Sequence, residues 1–225
     1  MGYDFDAAVF WKYVPKLAAA AGTTLWVAVA AIVLASGVGL LVAAAKLSKW
    51  RIVRGIALIY TEFWRGTPLL VQLLWLYFGI PLVLGVTITA ELAAVLALGL
   101  WSGAHVTEIF RGGIQSVERT QHHAGYSLGM TPLHVAWRIV LPQTARRILP
   151  PFVSQFVVTV KYSALVSVVG VAEITKRAEM AVVSTFRPLE IYLAAALVYF
   201  VLLLAISRTG RFLEKALRVD ALTGS

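Results

Sequence analysis

Few residues in this chain are of types that do acid–base or metal chemistry. Three of the four histidines, His122, His123 and His134, crowd into one stretch, "QHHAGYSLGMTPLHVAWRIVLP", from Gln121 to Pro142. The fourth, His105, stands alone in an apolar run. Haem held between two histidines needs both at facing membrane depths, and only His105 lies in a candidate span. It reads as a hydrogen-bonded packing residue. There is no cysteine, so no disulfide or thiolate metal site can form. No G-x-x-x-x-G-K-[ST] stretch occurs, so the chain has no P-loop for ATP. The remaining polar signals are charges inside apolar runs. Glu62 and Arg65 are three residues apart, on one helix face, and are expected to be a tethered intramembrane pair. Lys161 interrupts a later run. Such charges are costly in lipid and face a cavity or a partner. No metal-ligand set emerges from this pattern, so no metal centre is expected.

Composition agrees. Of 225 residues, 60% are hydrophobic and 14% charged, whereas a soluble domain is nearer half and one quarter. The net charge of +9 suits basic loops beside a lipid membrane better than a nucleic-acid partner. Leu17 to Ala45 has no ionisable residue and exceeds the ~20 residues a span needs. Asp4 and Asp6 precede it instead of a basic cluster, so a retained first span is expected. A second span should start near Ile56 and take in the charge-free run from Gly66 to Ala90. The third is expected over Thr87 to Arg111, the fourth over Ile148 to Ala172 and the fifth over Leu189 to Ile206.

One set of loops carries Lys46, Lys49, Arg51 and Arg54, then five arginines from Arg111 to Arg147, then Arg208, Arg211, Lys215 and Arg218. The other set carries far fewer basic residues. The positive-inside rule then puts the N-terminus outside and the C-terminus in the cytoplasm. The expected fold is an all-α integral membrane protein of about five transmembrane helices. It forms a single domain over 1–225, with its core at about 17–211 and no internal repeat.

The histidine-rich stretch falls between spans three and four, on the cytoplasmic side. Thr120 can cap a helix starting at Gln121. Gly129 suits the left-handed residue that ends it. Thr131 can cap a second helix with Pro132 at its first position. That second helix is expected to stop near Pro142 and to pack through Leu133, Ala136, Trp137 and Val140. The first helix, at about two turns, is too short to persist alone in water. Such a helix calls for a partner surface.

The same stretch carries a resemblance. Permease subunits of bacterial ABC importers share the signature E-A-A-x3-G-x9-I-x-L-P, and here His123-Ala124-Gly125, Gly129 and Ile139-Val140-Leu141-Pro142 keep its spacing. "TEFWRGTPLLVQLLWLYFGIP" (Thr61–Pro81), "SGAHVTEIFRGGIQS" (Ser102–Ser116) and "VKYSALVSVVGVAEITKRA" (Val160–Ala178) resemble the polar amino acid uptake branch. The resemblance covers about Leu17 to Arg211. His123 departs from the motif glutamate and Gly125 from its second alanine. A glutamate at 123 would have completed a capping box with Thr120.

The resemblance implies a multi-pass permease of the bacterial inner membrane, serving an ATP-driven amino acid importer. Its implied partners are a second permease subunit, two ATP-binding subunits and an extracytoplasmic amino-acid-binding protein. ATP and magnesium would sit on the ATP-binding subunits, with no cofactor in this chain. The coupling helix would engage an ATP-binding subunit through His123, Ala124, Gly125, Gly129, Met130, Thr131 and Pro132. The family points to Lys161, Ser163, Glu173 and Thr175 as a substrate path, with Gln72 as a further candidate. Two other classes remain: a self-contained channel or carrier, which the absence of a repeat disfavours, and a cofactor-binding membrane subunit, which the single span histidine disfavours.

Overall fold

The computed structural model describes residues 3–218, and nine helical segments account for most of them. They are α1 (Ala7–Ala18), α2 (Ala21–Lys46), α3 (Arg51–Gly66), α4 (Leu69–Leu84), α5 (Ala90–Gln115), α6 (Arg119–Ser127), α7 (Pro132–Val169), α8 (Ile174–Thr185) and α9 (Pro188–Arg218). Among the described residues, α2, α5, α7 and α9 are each long and apolar enough to cross a membrane. The bent pair α3–α4 brings the number of candidate spans to five.

Close contact between α2 and α5 forms the centre. The packing face of α2 is built from small residues, Ala28, Ala31, Ala35, Gly39 and Ala43, all buried. In lipid, where tails are as apolar as leucine, such small residues let helix backbones approach and gain dispersion contacts. A side chain at Gly39 would lie 2.7 Å from Val106 Cγ1, and one at Gly99 would lie 2.6 Å from Leu34 Cδ2. These two glycines set the helix spacing. Trp64, Leu69, Leu73, Leu98 and Val166 extend the core across α3, α4, α5 and α7.

Four expectations need correction. The first span starts at Ala21, because Leu17 belongs to the separate helix α1. The second is not one straight helix: α3 and α4 meet at 105° across Thr67-Pro68. Proline removes a backbone donor and holds the preceding residue extended. The amide of Gln72 caps the break, donating to Trp64 O (3.0 Å), Thr67 O (3.2 Å) and Thr67 Oγ1 (2.6 Å). Freed carbonyls in a membrane need such donors.

The third correction concerns Pro142, which does not stop a helix. The second short helix and the fourth span are one helix of 38 residues, Pro132–Val169. A π-turn over Ala136–Val140 precedes the proline, and the Leu141 N–H donates five residues back to Ala136 O. The hydrogen-bond register has thus already shifted where the proline N–H is missing. Fourth, Leu133 and Trp137 do not pack inward. They are exposed, while Val135 is buried.

Two helices were not foreseen, α1 and α8, both at the end opposite α6. Asp6 caps α1, accepting from Ala8 N at 2.8 Å. Glu190, fully buried at the start of α9, accepts from Asp6 N at 3.0 Å, from the Tyr3 hydroxyl and from Arg187 Nη1 at 3.4 Å. Arg187 Nη1 also donates to Asp4 O at 2.8 Å. This cluster ties the N-terminal segment to the last span.

Candidate functional site

Two regions stand out, the turn at α6 and a polar seam along α3, α5 and α7. In the first, α6 begins at Arg119, so its cap position is Glu118 rather than Thr120. Glu118 makes no side-chain capping bond, and the Thr120 hydroxyl instead donates to Glu118 Oε2 at 3.1 Å. The far end is firmly closed. Gly129 is left-handed (φ 76°), with Met130 N donating to Gly125 O at 3.1 Å and Gly129 N to Tyr126 O at 3.0 Å. That pair of bonds is a Schellman ending, for which glycine is the favoured residue. Thr131 then caps α7, accepting from His134 N, with Pro132 in the first turn.

Gly125 does not lie on an open surface. It is buried, and a side chain there would lie 2.8 Å from Val135 Cγ2 and 2.9 Å from Ile139 Cδ1. Its smallness lets α6 fold back onto α7. The exposed face of α6 carries His123, Ala124, Tyr126 and Leu128, the last 82% exposed. A shallow groove of about 330 Å³ runs between α6 and α7, with Ala124, Leu128, Arg138 and Pro142 on its walls.

The seam starts where α2 and α5 end. Lys46 Nζ and Glu108 Oε1 are 2.5 Å apart, and Arg111 holds the other carboxylate oxygen at 2.7 Å. A cavity of about 430 Å³ joins this triad to Arg54, Glu62 and Arg65. Arg65 is also in the wall of a second cavity of about 400 Å³, which reaches Gly66–Leu70 of the break, Trp101, Tyr162 and Leu165. Here the Trp101 ring lies against Tyr162 (centroids 4.8 Å) and His105 (4.3 Å). His105 Nδ1 is 3.0 Å from Trp101 O, a packing arrangement as expected.

The expected site residues scatter. Glu62 and Arg65 form no ion pair with each other among the described residues, since both open into the charged cavity. Lys161 is exposed on α7 next to Tyr162. Gln72 is buried at the α3–α4 break. Ser163 is buried and donates to Val160 O at 2.7 Å. Glu173 is buried, caps α8 through Lys176 N (2.8 Å) and accepts from the Tyr199 hydroxyl (2.6 Å). Thr175 Oγ1 meets the same hydroxyl at 3.0 Å. Burial holds the Glu173 carboxyl above the usual carboxylate range, against the opposing pull of those hydrogen bonds. The residues that the sequence reading missed are Lys46, Glu108, Arg111 and Trp101. The three-residue spacing of Glu108 and Arg111 and the four-residue spacing of Trp101 and His105 were the available signals.

Residues 35–219 match the family model described as the inner membrane component of binding-protein-dependent transport systems. The chain belongs to that family. The glutamine transport system permease protein GlnP of Escherichia coli K12 is 33% identical over 217 residues, covering 96% of this chain and 99% of that protein. The arginine transport system permease protein ArtQ of Bacillus subtilis is 34% identical, covering 97% and 99%. Among solved structures, an amino acid ABC transporter crystallised with histidines matches with a TM-score of 0.88 at 37% identity, over 95% of this chain and all of that one. The membrane subunit of the MetNI methionine transporter shares the fold, with a TM-score of 0.69 at 16% identity. This chain is therefore a multi-pass permease subunit of an ABC importer. In its family, ATP hydrolysis belongs to separate subunits.

Proposed function

We propose that this permease passes amino acids into the cytoplasm, working with a second permease subunit, two ATP-binding subunits and an extracytoplasmic binding protein. The observation that carries the coupling reading is the continuity of α7. The turn held by Gly129, Met130, Thr131 and Pro132 feeds directly into a 38-residue helix that reaches the aromatic cavity at Tyr162. A push on α6 is thereby delivered along one continuous helix. α6 is nine residues long with one buried residue, so it needs a docking partner for its exposed face. His123, Ala124, Tyr126 and Leu128 supply that face, and Gly125 keeps it in place from behind.

The seam and the aromatic cavity form this chain's half of the path. Arg65 supplies a cation for the substrate carboxylate. Trp101 and Tyr162 supply ring faces for an ammonium, and Glu62 a carboxylate. Lys161 precedes Tyr162 on α7 and adds an exposed cation there. Gln72 supports the path by keeping the α3–α4 break closed, and Glu173 and Thr175 by fixing α8. The basic end of the bundle lies in the cytoplasm, with the N-terminus outside.

Two variants test the reading. Ala124→Trp should insert normally and lose the ATP-binding subunit on co-purification. Arg65→Met should keep that subunit and lose amino acid uptake. Uptake at the wild-type rate in both variants would overturn the assignment. For the sidedness, a cysteine at Thr131 should label only from the cytoplasm and one at Ser184 only from outside. Labelling of Thr131 in intact cells by an impermeant reagent would reverse the orientation.

A further inference from the structure

At the end opposite α6, a cavity of about 520 Å³ lies between α1, the first turn of α2 and α8. Its wall carries two cations, Lys16 and Arg177, and the hydroxyls of Thr23 and Ser184, over a floor that includes Leu17 and Ala181. No carboxylate lines it. Lys16 Nζ lies 4.9 Å from the centre of the Tyr13 ring. Neither Lys16 nor Arg177 forms an ion pair among the described residues. The nearby carboxylate of Glu179 is taken by Lys176 at 3.0 Å. Two exposed cations without an ion pair, set beside an apolar floor, suit an anion that also has an apolar part.

What lies beneath the cavity narrows the choice. Thr23 is in the first turn of α2, where the charge-free run begins. From there an exposed stripe descends the same helix through Trp26, Val29, Val33, Gly37 and Leu40, without a polar side chain. Trp26 is 64% exposed one turn below the cavity, the depth at which tryptophan sits at a membrane interface. A soluble partner's acidic side chain could use the cations but not the stripe. A phospholipid uses both.

We propose that this cavity is a phospholipid site. Lys16 and Arg177 hold the phosphate of an anionic headgroup, Thr23 donates to one of its oxygens, and an acyl chain follows Trp26, Val29 and Val33 down α2. The guanidinium gives bidentate phosphate contact and the lysine a point charge, while the lysine stem packs against the wall. Phosphatidylglycerol should bind more tightly than phosphatidylcholine, whose choline the two cations repel.

The test is native mass spectrometry of the full chain purified with its ATP-binding subunit, after incubation with phosphatidylglycerol or phosphatidylcholine. The wild type should retain phosphatidylglycerol in preference to phosphatidylcholine. The double variant Lys16→Gln/Arg177→Gln should lower phosphatidylglycerol occupancy at least tenfold. Lys12→Gln, an exposed change on α1 outside the cavity, should leave occupancy unchanged. Ala19→Phe fills the cavity without altering charge and should displace the lipid as well. Wild-type occupancy in both cavity variants would overturn the proposal, as would an equal loss in Lys12→Gln. It would also fail if the double variant weakened only the binding protein's affinity, with lipid unchanged, or if Val29→Cys cross-linked two copies through a lipid-free stripe.

Discussion

The two short helices that flank the long spans, α6 and α8, are built in opposite ways. α8 has a side-chain cap, Glu173, whose carboxylate also reaches the Tyr199 hydroxyl on α9. Ile174, Ala178 and Ala181 bury its inner face against α1 and α9. α6 has no capping side chain and buries only Gly125. A short helix gains its stability from tertiary packing rather than from propensity. α8 is therefore complete within this chain, whereas α6 leaves most of its surface unpartnered. This difference supports the docking role proposed for α6 without reference to sequence motifs.

The comparison can be broken most directly at Gly125. Because Val135 and Ile139 already occupy the space where a side chain would go, Gly125→Leu should push α6 off α7. Overpacking of this kind costs roughly 1–3 kcal/mol. Uptake and co-purification of the ATP-binding subunit should both be lost, while membrane insertion persists. A variant that retains both would mean that α6 is not held by α7. Gly129→Val should act in the same direction, since a β-branched residue is strained at φ 76°.

Hydrogen exchange sharpens the contrast in the unaltered protein. In the permease without its partners, the α6 amides should exchange on the order of 100-fold faster than those of α8. Adding the ATP-binding subunit should slow α6 alone. Equal protection in the free chain would erase the distinction.

Lys161→Met should lower uptake severalfold with the yield of assembled complex unchanged, because the side chain is exposed on α7, one residue before the Tyr162 that lines the aromatic cavity. A drop in yield with normal uptake per complex would make Lys161 a packing residue instead.

The smallest effect expected is a pH dependence at α8. The Glu173 carboxyl, raised by burial, keeps its proton in the folded chain at pH values where the unfolded chain has lost it. Its contribution to stability is thus most favourable below the ordinary carboxylate pKa and declines as pH rises towards the folded value. Glu173→Gln should flatten that decline in a thermal unfolding series in detergent. An unchanged slope would show that Glu173 titrates alike in both states.

Much of this was written in the sequence alone. Runs without charge located the candidate spans, because an unpaired charge in lipid is too costly to place by accident. The turn at Gly129 and the Thr131–Pro132 helix start were readable, because each rests on chemistry local to a few residues. Other features depended on what stood across the space from a residue. Nothing local says that Gly125 turns inward towards Val135 and Ile139. Nothing local says that a π-turn shifts the hydrogen-bond register ahead of Pro142, so that two expected helices become one. Glu62 and Arg65, neighbours on one helix face, open into a cavity that also holds Lys46, Glu108 and Arg111 from two other helices. Periodicity reports which residues share a face. Only tertiary packing, through the close approach that small residues allow, decides what that face meets.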